Sequence, residues 1–144
     1  MGSINSNNGE MIMHLNDGSF FNSDGTIEFI KDIIAENKDK KIALFWDNAS
    51  IHKSIKTRSF LIDNNIKSIL NVPYKPDYNA IENVWAEAKK EFRKQLTLRK
   101  IKNEEINLYD IVNKSLWSVH PDKINNMSKR SFDILEKEAT KIDI

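Results

Sequence analysis

The segment Ile42-Ala43-Leu44-Phe45-Trp46-Asp47-Asn48-Ala49-Ser50-Ile51-His52 decides how this chain is read. Ile42 to Trp46 is an unbroken apolar run between polar residues, which reads as a strand buried on both faces. Asp47 follows it directly. In open α/β sheets ligands collect at the carboxyl ends of strands, so a carboxylate there projects into a crevice from a rigid backbone. The local pattern suits an Asx-turn or a helix cap equally well.

Downstream, Ser50 is placed to cap a helix running to about Asn64, and Ile66 to Val72 reads as a second strand able to pair beside the first. Pro73 and Pro76 then enforce a non-helical loop. Asn79 is a candidate N-cap for a long helix whose apolar stripe is Ile81, Val84, Trp85, Ala88, Phe92 and Leu96. Glu82 falls in its first turn. Taken alone, Glu82 has a structural explanation, because Asn79 and Glu82 have capping-box spacing and a first-turn acid suits the helix dipole. Its interest comes from Asp47, which is separated from it by 34 residues. If the two strands pair, the proline loop delivers Glu82 to the sheet edge that carries Asp47. Two carboxylates at one crevice suit hard cations, Mg²⁺ or Mn²⁺. A metal pair about 3.5–4 Å apart would activate a water or a 3′-hydroxyl and stabilise the leaving oxygen of a phosphodiester. Two acids are few for two metals, and a third carboxylate is normally needed.

Upstream, Glu10 to Leu15 reads as a strand, flanked by turn signals at Asn7-Asn8-Gly9 and Asn16-Asp17-Gly18. Ile27, Ile30, Ile33 and Ile34 recur at helical spacing, which predicts a helix over Thr26 to Asn37 with Ser23, Asp24 and Thr26 as capping candidates. Leu108, Ile111, Val112, Ser115, Leu116 and Val119 mark another helix. Pro121 starts a further one with a weaker stripe of Ile124, Met127, Ile134 and Leu135. Trp46, Trp85 and Trp117 read as core. The order of strands and helices points to an α/β sheet flanked by helices.

The 144 residues suffice for one domain with its own core, and the absence of cysteine excludes a disulfide framework and thiolate metal sites. No apolar run approaches the roughly 18 residues of a membrane span, and the N-terminus lacks the features of a signal peptide. Net charge is +1 overall, yet residues 86–102 hold seven basic residues against two acidic ones. Lys89, Lys90, Arg93 and Lys94 lie in this excess and are candidate DNA-backbone contacts, as are Lys53 and Lys56 after the Asp47 motif. On charge alone a solvated helix face explains them as well. His52 is placed either to orient Asp47 or touch a phosphate, or simply to pack at a helix start. There is no phosphate-binding glycine loop and no zinc-ligand cluster.

Asp-Asn-Ala-Ser-Ile-His-Lys-Ser (47–54) and Pro-Tyr-Lys-Pro-Asp-Tyr-Asn-Ala-Ile-Glu-Asn-Val-Trp (73–85) resemble the DDE transposases of the mariner-like superfamily and their bacterial insertion-sequence relatives. The 34-residue separation matches the branch ending in glutamate. The resemblance implies an RNase H-like fold, a mixed sheet flanked by helices, over residues 1–102, with a helical extension over 103–144. It implies Mg²⁺- or Mn²⁺-dependent cutting and joining of DNA ends in transposition and integration. Asp47 would be the second metal-binding acid and Glu82 the third, with Asn48, His52, Asn79 and Asn83 shaping the site. Ala80 departs from the family's usual proline. The first catalytic aspartate of the family lies on the first strand of the sheet, and this chain is expected to lack that strand, along with an N-terminal helix-turn-helix.

Three functions are weighed on this basis. The first is the C-terminal part of a DDE transposase of a mobile element, acting on transposon-end and target DNA. The second is a catalytically incomplete remnant or recruited module for DNA binding or oligomerisation. The third, an unrelated Mg²⁺ phosphohydrolase, leaves the Glu82 motif unexplained. Whether the chain is an enzyme by itself stays open, and weak metal binding is expected with one acid missing. Loss of a central strand would expose apolar surface and favour homo-oligomers. The activity implies the nucleus in a eukaryote and the cytoplasm in a bacterium.

Overall fold

Strand β1 (Gly2–Ile4) pairs with β2 (Met11–Met13) in a hairpin. The computed structural model describes residues 1–15 and 20–140. The hairpin is closed by His14 N donating to Met1 O at 2.8 Å and, near its tip, by Asn5 N donating to Glu10 O at 2.8 Å. Gly9 turns the chain at φ +72°, as the Asn-Asn-Gly signal predicts, and a glycine takes that conformation without strain. A Cβ on Gly9 would sit 2.2 Å from the Pro121 carbonyl oxygen, so the position excludes side chains twice over. The second expected turn, Asn16-Asp17-Gly18, lies outside the described residues.

Helix α1 (Ser23–Glu36) begins earlier than the expected Thr26. Its cap is Asn22, whose side chain accepts from Gly25 N at 2.9 Å, and none of Ser23, Asp24 and Thr26 takes that role. The buried face carries Ile27, Ile30 and Ile33, in keeping with their spacing.

The apolar run forms β3 (Ala43–Trp46). After α2 (Ser50–Lys53) and α3 (Ile55–Asp63) it pairs in parallel with β4 (Lys67–Leu70), Trp46 opposite Leu70. One helix was expected where α2 and α3 stand. Ser54 breaks it: its hydroxyl accepts from Thr57 N at 3.1 Å and donates to Thr57 Oγ1 at 2.8 Å, offering the backbone an alternative to helix continuation. Ser50 is the first residue of α2 rather than its cap, which is Ala49.

Ile30, Leu61 and Ile66 form the core beneath β3, with Ile34, Ile42, Leu44, Trp46 and Phe60 packed against it. Ile42, Leu44 and Trp46 alternate along the strand, so this core covers one face. The expectation of burial on both faces fails: Ala43 is exposed, Phe45 is half-buried, and every residue of β4 is exposed. Local sequence reports apolarity but not how many strands flank a given one.

Helix α4 (Ala80–Ile101) gathers α5 (Leu108–Trp117) and α6 (Pro121–Ala139) around it. Val84, Ala88, Ile111, Leu116, Val119 and Ile124 are buried here, with the small polar Ser115, Ser128 and Ser131 among them. Arg99 bonds Asp110 at 3.0 Å and Lys123 bonds Glu87 at 2.6 Å, joining α4 to α5 and α6. Trp117 is 54% exposed and corrects its assignment to the core, while Trp46 and Trp85 are half-buried.

The described residues therefore make a mixed α/β chain with two two-stranded sheets and six helices. Two compact units result, one of Met1–Ser3 and Met11–Asn79 and the other of Ile4–Glu10 and Ala80–Ile144. No helix among the described residues is long and apolar enough to cross a membrane.

Candidate functional site

Asp47 is the first residue after β3, at the carboxyl end of a strand in a parallel pair. Its Oδ1 accepts from Ala49 N at 2.9 Å. The Asx-turn is thus present, and it fixes the carboxylate instead of hiding it, since the side chain stays 60% exposed. His52 Nε2 lies 3.4 Å from the same oxygen. The His52 ring stacks on Trp46 with centroids 4.3 Å apart and planes 16° apart. The chain order makes this arrangement natural: Trp46 closes β3, Asp47 turns the backbone, and one turn of α2 returns His52 over the indole.

Burial lowers the His52 pKa from its ordinary 6.5, and the Asp47 carboxylate partly opposes that shift. The carboxylate favours the tautomer with its proton on Nε2, leaving Nδ1 as a buried atom without a partner. The sign for stability follows from linkage. The folded state holds His52 neutral while the unfolded chain takes up a proton below pH 6.5, so stability falls as pH drops from that value toward the folded pKa. In the absence of divalent ions, melting from pH 7.5 to 5 should show a loss in the natural chain that is smaller in His52→Phe, which keeps a ring on Trp46. Equal losses in both would refute it.

A second cluster ties the two strand ends together. Asn48 Nδ2 donates to Asn71 O, Asn71 N donates to Trp46 O at 2.7 Å, and Asn71 Nδ2 donates to Lys75 O at 2.8 Å. Asn48 therefore acts as a clasp between the turn after β3 and the loop after β4. Asn71 was not anticipated, because it sits within a stretch read only as strand. Its buried side chain, with Oδ1 left unpartnered, is visible only in three dimensions.

Pro73 and Pro76 keep the next segment out of α-helix as expected, although Pro76–Tyr78 forms a single 3-10 turn. Asn79 follows at φ −104° and ψ 101°, extended as an N-cap residue is, and its N–H bonds Pro76 O at 2.8 Å. Glu82 is the third residue of α4, and both it and Asn83 are exposed. Glu82 makes no hydrogen bond or ion pair with another described residue.

The candidate phosphate contacts divide into two sets. Lys56 is paired with Asp24, Lys90 with Glu87 at 2.7 Å and Lys94 with Glu91 at 3.6 Å. Lys53, Lys89 and Arg93 are exposed and make no ion pair among the described residues. Glu87 bonds Lys123 as well as Lys90, and these bonds, that to Lys123 foremost, pull its carboxyl down to about 2. Exposed pairs of this kind contribute little and yield readily to a phosphate. Lys89 and Arg93, one turn apart on α4, form the more available pair.

No group of three or more His, Cys, Asp or Glu among the described residues is arranged to hold a metal ion. Asp47 nevertheless fits a Mg²⁺-type ligand, being a fixed, exposed, hard oxygen donor. Such an ion characteristically keeps several waters and takes one or two carboxylates together with substrate phosphates. The family model described as DDE superfamily endonuclease matches residues 1–104. No curated protein matches the chain.

Proposed function

Because the chain belongs to the DDE superfamily endonuclease family, we propose that it is the C-terminal part of a DDE transposase with an RNase H-like catalytic domain. Its substrate would be DNA, cut and joined at strand ends with a divalent metal. The observation that carries this reading is Asp47, a carboxylate fixed by an Asx-turn at the carboxyl end of a parallel strand inside the matched region.

In this reading Asp47 and Glu82 hold Mg²⁺ or Mn²⁺, supported by their motifs and their 34-residue separation. The metal supplies charge neutralisation at the phosphate and a water or hydroxyl of lowered pKa. His52 keeps Asp47 Oδ1 in place, its ring held by Trp46. Asn48 holds the strand-end turn to the loop after β4. Lys53, Lys89 and Arg93 meet the DNA backbone, with Lys56, Lys90 and Lys94 joining when their acidic neighbours release them. Asn79 and Asn83 frame the start of α4. Residues 103–144 serve as a helical extension of the catalytic part.

The test is Mn²⁺ binding by electron paramagnetic resonance on the 144-residue chain. Weak binding is expected, since affinity follows carboxylate number, and Asp47→Asn and Glu82→Gln should each weaken it further, by about tenfold, one charge ligand at a partly exposed site. Binding indifferent to both substitutions would defeat the metal assignment. The second reading, a module for oligomerisation or DNA binding without cleavage, is favoured by one observation. Ile69, Leu70 and Val72 leave apolar surface open on and after β4, 40%, 39% and 53% exposed.

A further inference from the structure

Among the described residues, four other than glycine adopt the left-handed backbone conformation: Asp39, Asn65, Asn103 and Tyr74. Three are Asp or Asn, which accept it readily, and a bulky aromatic residue does not. Tyr74 holds φ 62° and is 100% exposed. A side chain so exposed contributes nothing to the core, and Asn or Gly would hold the same turn with less strain. Strain of this kind persists where the surroundings impose it, and the surroundings here are well defined. Pro73 precedes Tyr74, Lys75 N bonds Val72 O at 3.3 Å, Asn71 Nδ2 bonds Lys75 O at 2.8 Å, and Pro76 opens the 3-10 turn. The loop is tied to the Asp47 turn by the Asn48–Asn71 bond. A cation stands in the same loop, Lys75 Nζ lying 5.9 Å from the Tyr78 ring centroid.

We propose that Tyr74 is a stacking platform for an unpaired DNA base, presented by the loop that Asn48 clasps to the Asp47 turn, with Lys75 meeting the adjoining phosphate. The inference rests on the DNA reading above and names a contact within it. Every base has a π-face, so an exposed, pre-positioned ring in a loop that carries a positive charge takes single-stranded DNA with little regard to sequence. A blunt duplex keeps its bases stacked and offers the ring nothing comparable. The stacking therefore distinguishes unpaired from paired strands.

The experiment is fluorescence anisotropy with the full chain, using a labelled fifteen-nucleotide oligothymidine and a blunt duplex of equal length, both at low salt. Tyr74→Asn removes the ring and suits the left-handed backbone. It should weaken single-strand binding about tenfold, change duplex binding less than about twofold, and leave the melting temperature unchanged or raised. Tyr74→Phe should stay within about twofold of the natural chain on both probes, since the hydroxyl is not needed for stacking. Equal loss on both probes, no loss on either, or a lowered melting temperature in Tyr74→Asn would overturn the proposal. Failure of the natural chain to bind either DNA would defeat the DNA reading itself, and this inference with it.

Discussion

Gly9→Ala should destabilise the protein by about 3 kcal/mol, combining about 1–3 kcal/mol of left-handed backbone strain with a steric term of similar size. At φ +72° the added methyl meets its own backbone unfavourably, and its carbon would lie 2.2 Å from Pro121 O and 2.7 Å from Pro121 C. Neither neighbour is a side-chain tip that can swing away. Pro121 is the first residue of α6, so relief requires either the hairpin tip or the helix start to move. For a chain of this length the melting temperature should fall by roughly 10 °C. Gly9→Asn separates the two causes, because asparagine tolerates the backbone angle but keeps the Cβ. It should still lose most of the stability. A melting temperature within about 2 °C of the natural chain for Gly9→Ala would show that Gly9 does not lie against Pro121 as described.

Ile30→Ala should cost about 2–5 kcal/mol, the usual range for truncating a fully buried isoleucine. Ile30 is 0% exposed and packs with Leu61 and Ile66. Helix α1, helix α3 and the entry to β4 converge on it, leaving its neighbours little freedom to close the cavity. The consequence reaches the candidate site, since Trp46 packs on this cluster and carries the stacked His52. Near-ultraviolet circular dichroism of the tryptophans should therefore change along with the denaturation midpoint. Ile30→Val should lose about 1 kcal/mol, and Ile62→Ala, at a position 75% exposed, less than about 0.5 kcal/mol. If Ile30→Ala were no worse than Ile62→Ala, the core beneath β3 would be misassigned.

Much of the candidate site is legible in the sequence. The apolar run ending at Trp46 announced β3, and the residue after it was a carboxylate whose Asx-turn role and ligand role were both foreseeable. The structure shows that these are compatible, because one oxygen accepts from Ala49 N while the side chain remains 60% exposed. His52 was open between packing, orienting Asp47 and touching a phosphate; its ring packs on Trp46, and its Nε2 lies 3.4 Å from Asp47 Oδ1. The misses share a cause. Ser54 divides a helix through a hydrogen bond to Thr57, Asn22 caps α1 from just outside the apolar period, and Asn71 clasps two loops from within an apparently plain strand. Each depends on where a short polar side chain finds its partner, and hydrophobic periodicity carries no record of that.

The sequence by itself determined the family, the existence of the two strands that became β3 and β4, and the helices whose stripes repeat every three or four residues. These follow from backbone periodicity and from motifs local in the chain. That the strands pair, and in parallel, came from the tertiary structure. Only the tertiary structure decided which faces are covered, how Trp46 and His52 stack against Asp47, and that Tyr74 stands fully exposed in a strained turn. Burial and strain are properties of what surrounds a residue, and those surroundings come from segments distant in sequence.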